Sequence, residues 1–463
     1  MNSKFINREE DISLLEEEWK KKAGSLIILY GRRRIGKTRL LTEFIKNKRG
    51  IFYIAEDSSA QIQINGLKNK IAEFLNDSLL KSLEIKDWEQ LFEYLIKNLP
   101  KERFYIIIDE FSYLIKSEKR ILSILQKFWD MKFSSSPAFI VFSGSLLGLM
   151  SETVLSYASP LYGRRTKDIL LKEMSFKDAR KFVTMPFQEA MQLYMITGGV
   201  PEYLLKVAEY NNLEEFLKRE FFSKRGYFYR EPYYIISQEF KELKTYFSIL
   251  NAIAYGCTKP TEIANFIGME ARSIYPYLEN LLRLGFIDRQ VSILGSQKKG
   301  IYLIKDHIFD FWFNFVFRYR EEIEKEIFSL KNEEISRYYG KKFENFVRKK
   351  VFHYLLPDYH RMGKWWHRDE EIDIVSTNDR TGEIAFFEIK WSDLSVKDAE
   401  RIVVDLKRKA KLVKWDNKKR KEHFGIIAKS IEDKKKFKED GIFVYDLKDL
   451  EEVLMTDNFI NTI

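Results

Sequence analysis

Gly31-Arg32-Arg33-Arg34-Ile35-Gly36-Lys37-Thr38 sets two glycines five residues apart and follows them with a lysine and a hydroxyl. This is the spacing G-x-x-x-x-G-K-[ST]. An apolar run of strand length, Ser25-Leu-Ile-Ile-Leu-Tyr30, precedes it, and Arg39-Leu-Leu-Thr-Glu-Phe-Ile-Lys46 reads as helix. A glycine-bearing turn between strand and helix points successive backbone N–H groups into one concavity and adds the positive end of the helix dipole. From such a turn Lys37 can reach β- and γ-phosphates, and Thr38 can place its hydroxyl on Mg²⁺. Residues Gly31 to Arg39 are therefore candidates for binding a nucleotide, ATP. The alternative is a chance match in a Lys/Arg/Ile-rich chain, against which the flanking strand and helix argue.

A triphosphate site needs a second half. Phe104-Tyr-Ile-Ile-Ile-Asp109-Glu110 is an apolar strand ending in two acids. Asp109 can hold Mg²⁺ through water, and Glu110 is placed to orient or deprotonate the attacking water. Solvated acids at a strand end are the plainer alternative. Ala138-Phe-Ile-Val-Phe-Ser143-Gly-Ser145 ends in hydroxyls, with Ser143 the candidate for sensing the γ-phosphate; a turn capping the next helix is the other reading. Arg164 and Arg165 are candidates for stabilising transition-state charge, within the chain or across an oligomer, with a surface salt bridge as the alternative.

A second constellation lies near the C-terminus. Glu344 falls in a helix, Asp373 in Glu370-Glu-Ile-Asp-Ile-Val375, and Glu388 and Lys390 in Ala385-Phe-Phe-Glu-Ile-Lys390. On two adjacent strands Asp373 and Glu388 can point into one site and bind a divalent ion. Glu388 and Lys390 share a face because strand side chains alternate. Lys390 can then position a water or stabilise a pentavalent phosphate, while Glu344 completes the metal shell. Ordinary surface acids and lysines on an α/β domain remain the alternative.

Between the two sites, Thr258–Gly268 and Glu270–Arg283 read as a helix-turn-helix, with Thr261 as cap and a hairpin over 287–304 as wing. Arg272, Ser273 and Tyr275 near the second helix's start, and Lys298 and Lys299 at the wing tip, are the candidate nucleic-acid contacts. A protein-contact role for this module is the alternative, since Glu270 and Glu279 offset Arg272 and Arg283.

The elements that must position these residues follow from periodicity. Strands at 25–30, 51–55, 104–108, 138–142 and 168–171 alternate with helical patterns, as βαβ units do. Residues from about 172 to 250 are helical, broken at Thr197-Gly-Gly-Val-Pro201. Helix and strand alternate again from about 341. The chain has 463 residues, 45% apolar and 32% charged, which describes a globular protein rather than a disordered one. No apolar run reaches the ~18–20 residues of a membrane span, so no membrane partner is expected. The first residues lack the apolar core of a signal peptide. A single cysteine, Cys257, excludes an intrachain disulfide and a cysteine-based zinc site; a cytoplasmic location is expected. A net charge of +10, dense over Lys407–Lys421, favours a polyanionic partner such as DNA, with Trp365 and Trp366 as added surface.

Phe5-Ile-Asn-Arg8-Glu9, the phosphate loop, Asp109-Glu110, Tyr162-Gly-Arg-Arg165 and Gly198-Gly-Val-Pro201 together resemble the archaeal-type ATPases, a STAND branch of P-loop NTPases related to AAA+ proteins. The resemblance covers roughly residues 1–320. It implies that Arg8 and Glu9 lie near the adenine and that Gly198–Pro201 belongs to a lid; a plain helix stop explains the glycines equally. Asn7 stands where such proteins usually carry glycine. The C-terminal pattern resembles PD-(D/E)xK nucleases over about 340–450. The fold expected is α/β and multidomain: a P-loop NTPase core (1–171), helical lid (172–249), winged helix (250–305), connecting helices (306–340) and a restriction-endonuclease-like domain (341–463). The expected function is Mg²⁺-dependent ATP hydrolysis switching a nucleic-acid-processing domain, with a second Mg²⁺ or Mn²⁺ at the C-terminal site. The alternative is a regulatory scaffold ATPase with a non-catalytic C-terminal domain. A translocating motor ranks last.

Overall fold

Five strands laid side by side in the order β2-β3-β4-β1-β5 form the first sheet: β1 Ser25–Tyr30, β2 Gly50–Ile54, β3 Phe104–Asp109, β4 Ala138–Gly144 and β5 Lys167–Leu170. All four pairings are parallel. The computed structural model describes residues 5–295 and 300–455 and divides into two units. The first unit holds this sheet and comprises residues up to Met174 together with Val200–Leu205. Parallel strands need helical crossovers on both faces, so they read as near-continuous apolar runs. Every residue of β3 and β4 is buried accordingly. Leu26 and Ile28 of β1 enter one core cluster and Ile27 and Leu29 the other, as period-two alternation requires. Each fully buried aliphatic chain contributes about 1.5–3 kcal/mol.

The second unit comprises Ser175–Gly199 and the chain from Lys206 onward. It opens with helices, among them Phe187–Thr197, Leu213–Glu220, Tyr227–Glu239 and Leu243–Ala254. Helices Pro260–Ile267 and Tyr275–Arg283 and an antiparallel hairpin, β6 Ile287–Val291 with β7 Gly300–Ile304, follow. Two details differ from the sequence reading. The first of these two helices is capped at Lys259, with Pro260 at its first position and Glu262 accepting from the Thr258 and Lys259 amides, so Thr261 is not the cap. The second helix starts at Tyr275, so Arg272 and Ser273 lie in the turn before it.

The last sheet has the order β12-β11-β10-β9-β8, from β8 Arg361–His367, β9 Glu370–Asn378, β10 Glu383–Leu394, β11 Lys421–Ile431 and β12 Phe443–Tyr445. Its β8-β9-β10 meander is antiparallel, and β10, β11 and β12 are parallel. Helix Val396–Ala410 makes the β10–β11 crossover. Strand β8, which the sequence reading did not anticipate, is an edge, and the hairpin covers its end. The Ile293 amide donates to Lys364 O at 2.9 Å, Ser292 Oγ to Trp366 O at 3.1 Å, and Ile293 joins the core with Trp365 and Ile372. The boundary expected at 340/341 falls inside helix Asn332–Phe346, which runs on into a π-helical turn, Val347–Val351. Among the described residues no helix is long and apolar enough to cross a membrane.

Candidate functional site

The carboxyl edge of the first sheet gathers the first set of predicted residues. β1 and β4 end level, Tyr30 beside Gly144, and the Phe111 amide donates to Ser143 O at 2.7 Å. Gly31, Asp109, Glu110 and Ser143 therefore converge on one edge. The loop holds a tight shape: Arg34 and Gly36 sit at φ 67° and 93°, and a Cβ on Gly31 would meet Leu171 O at 2.7 Å. Helix Lys37–Phe44 begins without a side-chain cap. Ile35 is buried in the core and anchors the loop, whereas Thr38 and Arg39 are exposed.

Lys37 is only 5% exposed, and its ammonium donates to Gly31 O at 2.9 Å and Arg32 O at 3.1 Å. Burying an ammonium is costly without such partners. Thr38 Oγ1 donates to Asp109 Oδ2 at 2.5 Å, and the Glu110 amide donates to Asp109 Oδ1 at 3.0 Å. Hydroxyl and carboxylate meeting beside the loop are the oxygen donors a hard divalent cation takes. Glu110 adopts φ 51°, unusual for a non-glycine, and accepts from Ser145 Oγ at 2.6 Å. Ser143 Oγ is buried with no hydrogen-bond partner. Such an orphan costs about 1–3 kcal/mol, which a phosphate oxygen can relieve. These residues fit a Mg²⁺-bound triphosphate.

The loop arginines tie it to its surroundings. Arg32 pairs with Glu173 at 2.8 Å, Arg33 donates to Tyr113 Oη at 3.3 Å, and Arg34 pairs with Glu202. Pro201 Cγ lies 3.9 Å from where a Gly36 Cβ would stand, so helix Pro201–Val207 begins against the loop. Gly198, at φ 66°, stops the preceding helix. Arg8 donates to Ile35 O at 3.2 Å and pairs with Asp11 at 3.4 Å. Asn7 and Arg8 are both left-handed, at φ 54° and 87°, and asparagine tolerates that region better than most residues.

Arg164 and Arg165 are a correction. β5 starts beside Ile27 and the Thr166 amide donates to Leu26 O at 2.7 Å, so both arginines precede β5 at the sheet's amino edge, opposite Gly31. Arg164 forks onto Asp130 at 2.7–3.0 Å and Arg165 pairs with Asp168 at 2.8 Å. Within the chain they are salt-bridge residues.

The second constellation forms on β9 and β10. Phe387 opposes Ile374, which sets Glu388 against Asp373, and the Ile389 amide donates to Asp373 Oδ2 at 2.9 Å. Lys390 Nζ reaches Glu388 Oε1 at 2.8 Å, and Glu388 Oε2 is buried without a partner. The expected three-carboxylate shell of Glu344, Asp373 and Glu388 is not gathered. Among the described residues no group of three His, Cys, Asp or Glu side chains stands close enough to hold a metal. A lysine that the sequence reading missed stands among these acids. Lys364 Nζ from β8 lies 3.0 Å from Glu371, 3.3 Å from Glu344 and 3.6 Å from Asp373. Burial and then Asp373 push the Glu344 carboxyl up to about 7. The same two causes raise Glu388. Burial works against the Lys364 ammonium, but Glu344, Asp373 and Glu371 outweigh it and hold its pKa above the ordinary range. Arg348, also missed, donates to Asp373 O at 3.2 Å. Glu371 had a readable signal, since it sits two residues from Asp373 on one strand face; Lys364 had none without β8.

Arg272, Ser273 and Tyr275 are exposed, and Lys298 and Lys299 lie outside the described residues. Trp365 belongs to the core and not to a surface, because it faces inward from β8. In the basic run, Lys407, Lys411, Lys414, Lys418 and Lys419 are exposed, but Arg420 is buried against the carbonyls of Ala410, Val413 and Trp415.

Residues 5–207 match a family described as an ATPase domain predominantly from Archaea. Residues 312–402 match a family described as Archaea bacterial proteins of unknown function. The uncharacterized protein MJECL04 of Methanocaldococcus jannaschii is 34% identical over 459 residues, spanning 96% of this chain and 99% of the relative. The uncharacterized ATP-binding protein MJ0423 of the same organism is 51% identical over 45 residues, which is 10% of this chain and 76% of that protein. Among solved structures, the Walker-type ATPase PABY2304 of Pyrococcus abyssi is similar at a TM-score of 0.48 and 21% identity, covering 67% of this chain and 96% of its own.

Proposed function

This chain belongs to one family with MJECL04 and carries an archaeal-type ATPase domain, and from that premise we propose that it binds and hydrolyses ATP with Mg²⁺ to switch a nucleic-acid-handling second unit. The observation that carries the nucleotide reading is the meeting of Thr38 and Asp109 at 2.5 Å beside the buried Lys37. In this reading the amides from Gly31 to Arg39 and the Lys37 ammonium hold the phosphates, and Thr38 and Asp109 hold the cation. Glu110 orients and deprotonates the attacking water, and Ser143 senses the terminal phosphate. Mg²⁺, when bound, supplies charge neutralisation of the phosphoryl oxygens. Arg8 lies near the adenine, and residues 172–249 act as a lid hinged at Gly198. Lys37→Ala should abolish ATP hydrolysis in a protein that keeps its circular dichroism; wild-type turnover in that variant would refute the site.

Residues 250–305 we read as a winged helix and residues 341–463 as a PD-(D/E)xK-like domain. The pairing of Asp373 with Glu388 and Lys390 across β9 and β10 supports that reading. There Asp373 and Glu388 would hold Mg²⁺ or Mn²⁺ and Lys390 would position a water at the phosphodiester. The second reading, a regulatory ATPase whose C-terminal domain binds without cutting, is favoured by Lys364, whose ammonium stands among Asp373, Glu344 and Glu371. Incubation with DNA and RNA under Mg²⁺ and Mn²⁺, with and without ATP, separates the two. Cleavage that Asp373→Ala abolishes supports the first, and intact substrate under every condition supports the second.

A further inference from the structure

The hairpin β6–β7 does not project freely, and its docking onto β8 creates a cleft of about 440 Å³ within the second unit. That volume lies in the range of ligand clefts, about 300–1,000 Å³. Arg289 and Lys305 enter it from the hairpin. Arg348, Lys349 and Lys350 enter from the π-helical turn, and Lys364 from β8. Among the described residues Asp288 is the one carboxylate in the lining, and Lys349 pairs with it at 2.8 Å. Lys305 and Lys350 are exposed to solvent. Two of the lining cations, Arg348 and Lys364, also touch Asp373 or its backbone, so the cleft runs up to the Asp373–Glu388–Lys390 cluster.

We propose that this cleft, rather than the Tyr275–Arg283 helix, binds the phosphodiester backbone of a nucleic acid and leads it to the Asp373 cluster. Cations drawn from three separate elements into one concavity match a chain of regularly spaced phosphates, the contacts that fix where a nucleic-acid backbone lies. The Tyr275–Arg283 helix sets one acid, Glu279, against one base, Arg283. Binding here needs no metal and does not depend on whether the acidic cluster cuts, so it stands or falls separately from the nuclease-like reading.

The test uses the full chain in EDTA with fluorescein-labelled single-stranded DNA, duplex DNA and single-stranded RNA of equal length, titrated over a range of salt. The double variant Lys305→Glu/Lys350→Glu should weaken binding about tenfold or more and make the plot of log K against log salt shallower by about 2. Arg272→Glu should leave both quantities unchanged. ATP turnover, which none of these three positions serves, should be wild-type in all variants, and an unchanged circular dichroism spectrum reports that they are folded. Wild-type Kd and salt slope in the double variant, on every oligonucleotide, would overturn the proposal, as would loss of binding in Arg272→Glu alone.

Discussion

At the scale of single residues, the ionisation of Glu344 is set by burial before it is set by its cationic partner. Glu344 has Lys364 at 3.3 Å, yet its carboxyl stays near 7 because burial and Asp373 outweigh that ammonium. An acid whose pKa is higher folded than unfolded binds protons in the native state that the unfolded chain has already released. Its favourable contribution is therefore complete below the unfolded value of about 4.5 and is lost as pH rises through about 7. Glu344→Gln mimics the protonated form. In EDTA, its melting temperature relative to wild type should rise between pH 5 and pH 8; a difference that stays flat or falls would show that the ion pair with Lys364 governs instead. The residue scale is also where the sequence was most and least readable. The neighbourhood of Lys37 and Thr38 was legible because one loop carries both, and that of Glu388 and Lys390 because one strand face carries both. Lys364 and Arg348 were not, because a strand and a π-helical turn with no strong pattern of their own bring them in.

At the scale of elements, strand register decided what spacing could not. Arg164 and Arg165 precede a short strand, and only the pairing of Lys167 with Ile27 shows that they stand at the amino edge of the sheet. The parallel sheet itself was legible to within a residue or two, since buried strands are written as apolar runs. The hairpin's contact with β8 was not, since it depends on one close approach. A Cβ on Gly363 would lie 2.9 Å from Ile293 Cβ, an atom held near the backbone with no room to yield. Gly340, inside helix Asn332–Phe346, has only Trp391 Cβ at an ordinary 3.9 Å. The same substitution should then act with opposite sign. Gly363→Ala should destabilise the second unit by about 1–3 kcal/mol through overpacking, and Gly340→Ala should stabilise it by about 0.5–1 kcal/mol through helix propensity. Hydrogen exchange of the β8–β10 amides reads both, and equal effects would mean that the hairpin is not locked to β8.

At the scale of the whole molecule, the chain passes between its two units more than once. Val200–Leu205 belongs with the phosphate-loop unit, while the residues joined to it on either side, up to Gly199 and from Lys206, belong with the other. Arg34 in the loop is paired with Glu202 in that short segment. A triphosphate arriving at the loop brings several negative charges that compete with Glu202 for the arginine, because charge-assisted contacts to phosphate are among the strongest available. Glu202 lies in a segment joined through Val200 to Gly199, and Gly198, one residue before that, sits at a positive φ of 66° at the end of helix Phe187–Thr197. A ligand can shift a second unit only through contacts that differ between its bound and free states, and competition for Arg34 would make this pair such a contact. Addition of a non-hydrolysable ATP analogue should therefore change hydrogen exchange in residues 187–199 of the wild type. Glu202→Ala should remove that response while changing nucleotide affinity by no more than about threefold, since the residue serves the link and not the phosphate. A response that survives in Glu202→Ala would move the coupling to another contact and leave the Arg34–Glu202 pair as a brace of the loop alone.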